Sequence, residues 1–178
     1  MKHFSLLLAL VALAAPSQAK EVEHLKPITM PYGSHERQVL DFYQAKSHKP
    51  TPVIFHVHGG GWIGGGKFIV PDLYVEQGIS VVSINYRFTG HAVKDKIEPP
   101  VKAPLEDAAR ALQFVRSKAD EWNIDKKRIA GNGASAGAVS VLWLALHDDM
   151  ADPKSADPVA RESTRLYCVA VHSAQVTL

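Results

Sequence analysis

Gly133-Ala134-Ser135-Ala136-Gly137 follows a strand-like run that opens at Arg128 and leads into residues 135–147, which are apolar almost throughout. A serine on a sharp strand-to-helix turn exposes its hydroxyl at the end of a sheet, and flanking glycines let neighbouring backbone come close. The helix that follows aims its first amides at the serine. Ser135 is therefore a candidate nucleophile, and the Ala136 amide a candidate donor to an oxyanion. The same letters also fit a plain tight turn capped by a serine.

Upstream, Pro52-Val53-Ile54-Phe55-His56-Val57 is rich in β-branched residues and predicts a buried strand. His58-Gly59-Gly60-Gly61-Trp62 follows it at once. Three consecutive glycines leave backbone amides unshielded, as an oxyanion site requires, and losing one such donor costs about 10²–10³ in rate. A flexible turn or a phosphate cradle would also use glycines. The cradle wants Gly-Lys-Ser/Thr, and Gly66-Lys67-Phe68 lacks the hydroxyl. His58 reads as a loop-organising residue, and Trp62 as either a pocket wall or a packing residue.

Between and beyond these motifs strands and helices alternate. Residues 22–30 and 38–43 are weak opening strands, and residues 79–86 another strand. Residues 68–77 predict a short helix broken near Pro71, and residues 87–103 a polar loop. Residues 104–122 predict the clearest helix, with Leu105, Ala108, Leu112 and Val115 on one face and Pro104 in its first turn. Residues 148–165 form an acidic, Pro-containing loop before a last strand at 166–172. This alternation predicts an α/β fold with a mostly parallel sheet covered on both faces. Reactive groups in such sheets gather at the carboxyl ends of the strands, where both glycine motifs fall.

With 178 residues the chain is sized for one domain, and 46% hydrophobic with 21% charged residues is ordinary for a globular one. A net charge of +2 without a basic, aromatic-interleaved run excludes an evident nucleic-acid surface. Lys2, the apolar run 4–15 and Pro16-Ser17-Gln18-Ala19 predict a signal peptide over residues 1–19, a domain over 20–178, and secreted or periplasmic location. The apolar run is too short for a stable membrane span. Cys168, the single cysteine, sits in an apolar run and predicts a buried, inert thiol. His56 reads as a satisfied sheet histidine, and no histidine spacing suggests a metal site.

Together the two motifs, about 75 residues apart, resemble the hormone-sensitive-lipase-like branch of the α/β-hydrolase carboxylesterases and lipases. Ser83-Ile84-Asn85-Tyr86-Arg87, Asp107 with Ala108-Ala109-Arg110-Ala111-Leu112, and Ile124-Asp125-Lys126-Lys127-Arg128-Ile129 resemble further segments of that family. The resemblance covers roughly residues 50–147. It implies a three-layer α/β-hydrolase fold and hydrolysis of small-molecule carboxylic esters through an acyl-enzyme, without metal or cofactor. It assigns the nucleophile to Ser135 and the oxyanion hole to Gly60, Gly61 and Ala136, with His58, Gly59, Gly133 and Gly137 completing the motifs.

The family's triad runs in the order serine, acid, histidine. Its acid and histidine follow two further strands beyond residues 166–172, so the expectation is a chain incomplete at its C-terminus, with an exposed sheet edge open to self-association. Asp148, Asp149, Asp152 and Asp157 read as a solvated acidic stretch, and Asp107 as a capping or salt-bridge residue. His172 is retained as a substitute base. Two rival readings are a catalytically silent hydrolase fold that binds a ligand or partner, and a relative of S9-type peptidases.

Overall fold

The computed structural model describes residues 25–175, so the expected signal peptide at 1–19 lies outside the described residues. Two antiparallel strands open the fold, β1 (Ile28–Pro31) and β2 (Val39–Tyr43). β3 (Thr51–Val57) alternates buried and half-buried positions, and β4 (Ser80–Ile84) is buried along its whole length. Between them lies α1 (Asp72–Val75), which starts only after Pro71. α2 (Thr89–Lys94), α3 (Lys102–Ser117), β5 (Ile124–Ala134), α4 (Ala136–Leu146) and β6 (Cys168–His172) complete the chain order.

The six strands form one sheet in the order β1-β2-β4-β3-β5-β6. β4, β3, β5 and β6 run parallel, while β2 meets β4 antiparallel. This is the mostly parallel α/β-hydrolase sheet that the alternation and the resemblance predicted. One face carries Leu40, Phe42, Val53, Phe55, Val57, Val82, Ile84 and Ile129, which join Ala108, Leu112 and Val115 of α3 and Val141 and Leu144 of α4 in one core. Burying each such large aliphatic or aromatic side chain stabilises by roughly 1.5–3 kcal/mol. The other face is covered over β4, where Val81 and Ser83 are fully buried. Toward β5 and β6 that face is open among the described residues: Ala130 and Asn132 are half-buried, and Cys168, Ala170 and His172 are exposed.

Several elements differ from the sequence expectations. α3 starts two residues before Pro104, which stands in the first turn where a missing N–H removes no helical bond. It ends at Ser117, because residues 118–123 turn the chain back, with Asn123 at φ 49°, and send Trp122 to stack on Phe42 at 4.2 Å. The stretch read as a loop at 87–103 contains α2. β5 starts at Ile124, ahead of the expected opening at Arg128, since its charged start at Asp125-Lys126-Lys127-Arg128 is a solvated strand end. Cys168 is exposed, not buried: it lies on the edge strand, on the open face. The acidic loop is not simply solvated. Asp149 accepts from Thr164 N at 2.8 Å and Ser163 Oγ at 2.7 Å, and Asp157 pairs with Arg110 at 2.6 Å.

Candidate active site

Parallel pairing sets Val57 opposite Gly133 and Ala134 opposite His172, so three strands end side by side. The chain leaves β3 as the glycine loop and leaves β5 as the serine turn. They touch: a Cβ on Gly59 would lie 2.9 Å from Ala134 O and 3.3 Å from Ser135 Cβ. Behind them, a Cβ on Gly137 would run into the carbonyls of Val57 and His58. α4 can start where it does only because that side chain is absent.

Ser135 holds φ 52° and ψ −124°, a conformation L-residues rarely adopt. It is the first flanking residue of α4, yet its hydroxyl makes no capping bond. That removes the plain capping-serine reading, because the side chain does not satisfy the helix amides. Its backbone N–H donates to His172 O at 3.2 Å. Strain at a residue whose hydroxyl makes no hydrogen bond among the described residues is the usual mark of a functional position.

The glycine loop is closed from within. Gly60 O accepts from Ile63 N at 3.0 Å and Gly64 N at 3.1 Å, with Gly60 at φ 111° and Gly61 at φ 62°. His58 is buried, and its Nδ1 lies 2.6 Å from Gly59 O. Its ring stacks on Tyr86 at 4.3 Å, and Tyr86 Oη donates to His58 O at 2.9 Å. Burial pushes the His58 imidazole below its ordinary pKa, against the opposing bond to Gly59. His58 thus turns inward as a loop-organising residue. With these carbonyls occupied, the Gly60, Gly61 and Ala136 amides donate to nothing among the described residues.

Trp62 serves both roles that the sequence left open. Its Nε1 donates to Ser140 Oγ at 3.0 Å, bracing the loop against α4, and its ring borders the cleft. That cleft, about 350 Å³, is lined by Gly61, Trp62, Ser135, Ala136, Val139 and Gln175. Val139 could have been found from the sequence, being one helical turn past Ser135. Gln175 carried no signal, since only the return of β6 brings it there. A larger hollow of about 540 Å³ lies at the opposite end of the strands, beside Lys49, Ile124 and Arg128, far from Ser135.

The other candidates fall away from the cleft. His172 meets Ser135 through its backbone carbonyl; its imidazole is exposed and not hydrogen-bonded to Ser135. His56 is paired across the sheet, Nδ1 to Asn132 Oδ1 at 2.7 Å, and burial pushes its pKa down. Asp107, 1% exposed, accepts from Arg87 Nη2 at 2.7 Å, Arg87 N at 2.8 Å and Gln38 Nε2 at 2.8 Å, which makes it an internal salt-bridge residue. Among the described residues no group of three or more His, Cys, Asp or Glu is arranged to hold a metal.

Comparison with known proteins agrees with the family and the fold. The BD-FAE family model matches residues 40–170. Gut esterase 1 of Caenorhabditis briggsae is 36% identical over 123 residues, which is 65% of this chain and 22% of that protein. Esterase LipC of Mycobacterium tuberculosis is 31% identical over 112 residues, covering 60% of this chain and 26% of LipC. Among solved structures, the acetyl ester-xyloside bifunctional hydrolase from Caldicellulosiruptor lactoaceticus superposes with a TM-score of 0.69 at 30% identity, over 82% of this chain and 56% of the other. The chain therefore spans about a fifth of the curated relatives it matches first.

Proposed function

This chain belongs to the BD-FAE family, and we propose that it supplies the nucleophile and oxyanion hole of a serine carboxylic-ester hydrolase. The carrying observation is Ser135: strained, uncapped, at the end of β5, in a cleft it shares with Gly61 and Ala136, while the Gly60, Gly61 and Ala136 amides donate to nothing among the described residues. Ser135 Oγ attacks the ester carbonyl while a base takes its proton. The carbonyl oxygen becomes an oxyanion that accepts hydrogen bonds from the Gly60, Gly61 and Ala136 N–H groups. The base gives that proton to the departing alcohol, leaving an acyl-Ser135; water, giving its proton to the same base, then attacks the acyl carbonyl, and Ser135 leaves and takes the proton back.

Among the described residues no imidazole is hydrogen-bonded to Ser135 Oγ. An oxyanion hole and binding site without a triad still retain roughly 10³–10⁴ over water.

The substrate class we favour is a small acyl ester, including esters carried on carbohydrate. Trp62 and Val139 wall a cleft of about 350 Å³, which suits a short acyl group. The similar Caldicellulosiruptor enzyme is named for an acetyl ester and a xyloside. Lys2 and the apolar residues 4–15 support export from the cytoplasm. No helix among the described residues is long and apolar enough to cross a membrane.

Purified chain and Ser135→Ala, assayed on a short-chain aryl ester, test the reading. Turnover above buffer that Ser135→Ala abolishes supports it. Equal background from both proteins sinks it for this chain and favours a fold that only binds a carbonyl ligand.

A further inference from the structure

Arg37 lies in the turn between β1 and β2, nearly a hundred residues before Ser135 and outside both motifs. Its guanidinium bonds to two backbone carbonyls rather than to a carboxylate. Nε donates to Tyr86 O at 2.8 Å, and Nη2 donates to Gly65 O at 3.1 Å. Its Cζ sits 3.7 Å over the Phe88 ring, a cation–π contact that fixes the plane of the fork.

Gly65 lies near the far end of the glycine loop. Its φ is 93°, and a Cβ there would lie 2.7 Å from His58 Nδ1 and 2.6 Å from Gly59 O. The backbone at Gly65 is thus pressed onto His58 and Gly59. Tyr86, whose carbonyl Arg37 also holds, fastens the near end by donating to His58 O. Gly60 and Gly61 lie between these two fastenings. Six of the eight residues from 59 to 66 are glycines, so their backbone is costly to order. Donors stabilise an oxyanion strongly only when they are already aimed.

We infer that Arg37 is a positioning residue for the oxyanion loop, clamping Gly65 to Tyr86 so that the Gly60 and Gly61 amides stay turned toward Ser135. The inference rests on the reading of this loop as an oxyanion hole. Substrate binding does not need the clamp, whereas stabilisation of the oxyanion does.

The test compares wild type, Arg37→Ala, Arg37→Lys and Ser135→Ala on a short-chain aryl ester, together with site-resolved amide exchange. Arg37→Ala should lower kcat by about tenfold or more with KM within about twofold, short of the full loss of a donor. Arg37→Lys, with one ammonium unable to span both carbonyls, should fall between, and added ethylguanidinium should partly restore Arg37→Ala. Exchange of the Ile63 and Gly64 amides should quicken by about tenfold or more in Arg37→Ala while Val82 in β4 is unchanged, as for local opening.

If Ser135→Ala abolishes turnover and Arg37→Ala keeps kcat within about twofold, the inference is overturned and the Ser135 reading stands. If Ser135→Ala equals wild type, the esterase reading fails separately. Exchange then decides whether Arg37 holds the loop, and unchanged Ile63 and Gly64 rates overturn that as well. A loss of Val82 protection equal to that at Gly64 means a general folding defect and also rejects the clamp. Arg37→Lys is the fallback should Arg37→Ala fail to fold.

Discussion

Gly137 shows how narrowly the site is built. The residue stands in the first turn of α4, and the space a side chain would need is taken by the carbonyls of Val57 and His58. Gly137→Ala must push α4 off β3, and overpacking of this kind costs about 1–3 kcal/mol. The urea midpoint should fall accordingly, and any Ser135-dependent turnover should fall with it. An unchanged midpoint would mean that the approach is looser than drawn. The motif residues could be read from the sequence because their chemistry demands residue types at consecutive positions: glycines where amides must be bare, and a serine at the bend. Tyr86, Arg37 and Gln175 could not be assigned roles, because their contacts join segments that only the sheet brings together. Arg37 in particular looks like an ordinary charged turn residue until Gly65 O is placed beside it.

At the scale of elements, hydrophobic pattern served well where burial is complete and poorly where it is partial. β3, with every second residue buried, and α3, with its apolar stripe, were legible. α2 was hidden because Ala92 is its one buried residue, so no stripe exists to see. The 148–165 segment departs from a solvated stretch for the opposite reason: its acids hold the loop together. Burial alone would raise the Asp149 carboxyl. Bonds from Thr164 N, Ser163 Oγ, Ala151 N and Thr164 Oγ1 outweigh that and hold it below the usual carboxylate range. A depressed folded pKa contributes stability above the unfolded value and loses it as pH falls through the folded one. Asp149→Asn should therefore lower the thermal midpoint near neutral pH, by the equivalent of about 1 kcal/mol for hydrogen bonds lost at an exposed site. As pH falls below about 4, where the unfolded carboxyl protonates, the gap should narrow, and it should close only once the depressed folded carboxyl protonates as well. A gap that widens on acidification would refute the assignment.

For the molecule as a whole, the asymmetry of the sheet matters most. β1 closes one side as a short strand paired antiparallel with β2. β6 closes the other with Cys168, Ala170 and His172 exposed and, among the described residues, no partner on its outer side. Exposed edges of this sort are templates for another strand. The mass of the chain measured by light scattering should rise with concentration, persist under reductant so that Cys168 disulfides are not the cause, and drop toward monomer in Ala170→Lys. A single mass at every concentration would show that the edge is protected. The overall α/β order could be read from the alternation of segments. The half-open face could not, because the alternation predicts helices on both sides without saying how far they reach.

The contact between α4 and β3 also bears on how the chain finds its fold. Sliding β5 by one residue along β3 would shift Ser135 by about 3.3 Å and turn the wrong side chains inward. It would also bring a residue other than Gly137 against the carbonyls of Val57 and His58, and every neighbour of Gly137 in the helix carries a side chain. The fit that permits chemistry in the native chain thus acts during folding as a gauge of alignment: misregistered pairings are rejected by collision before the site can form.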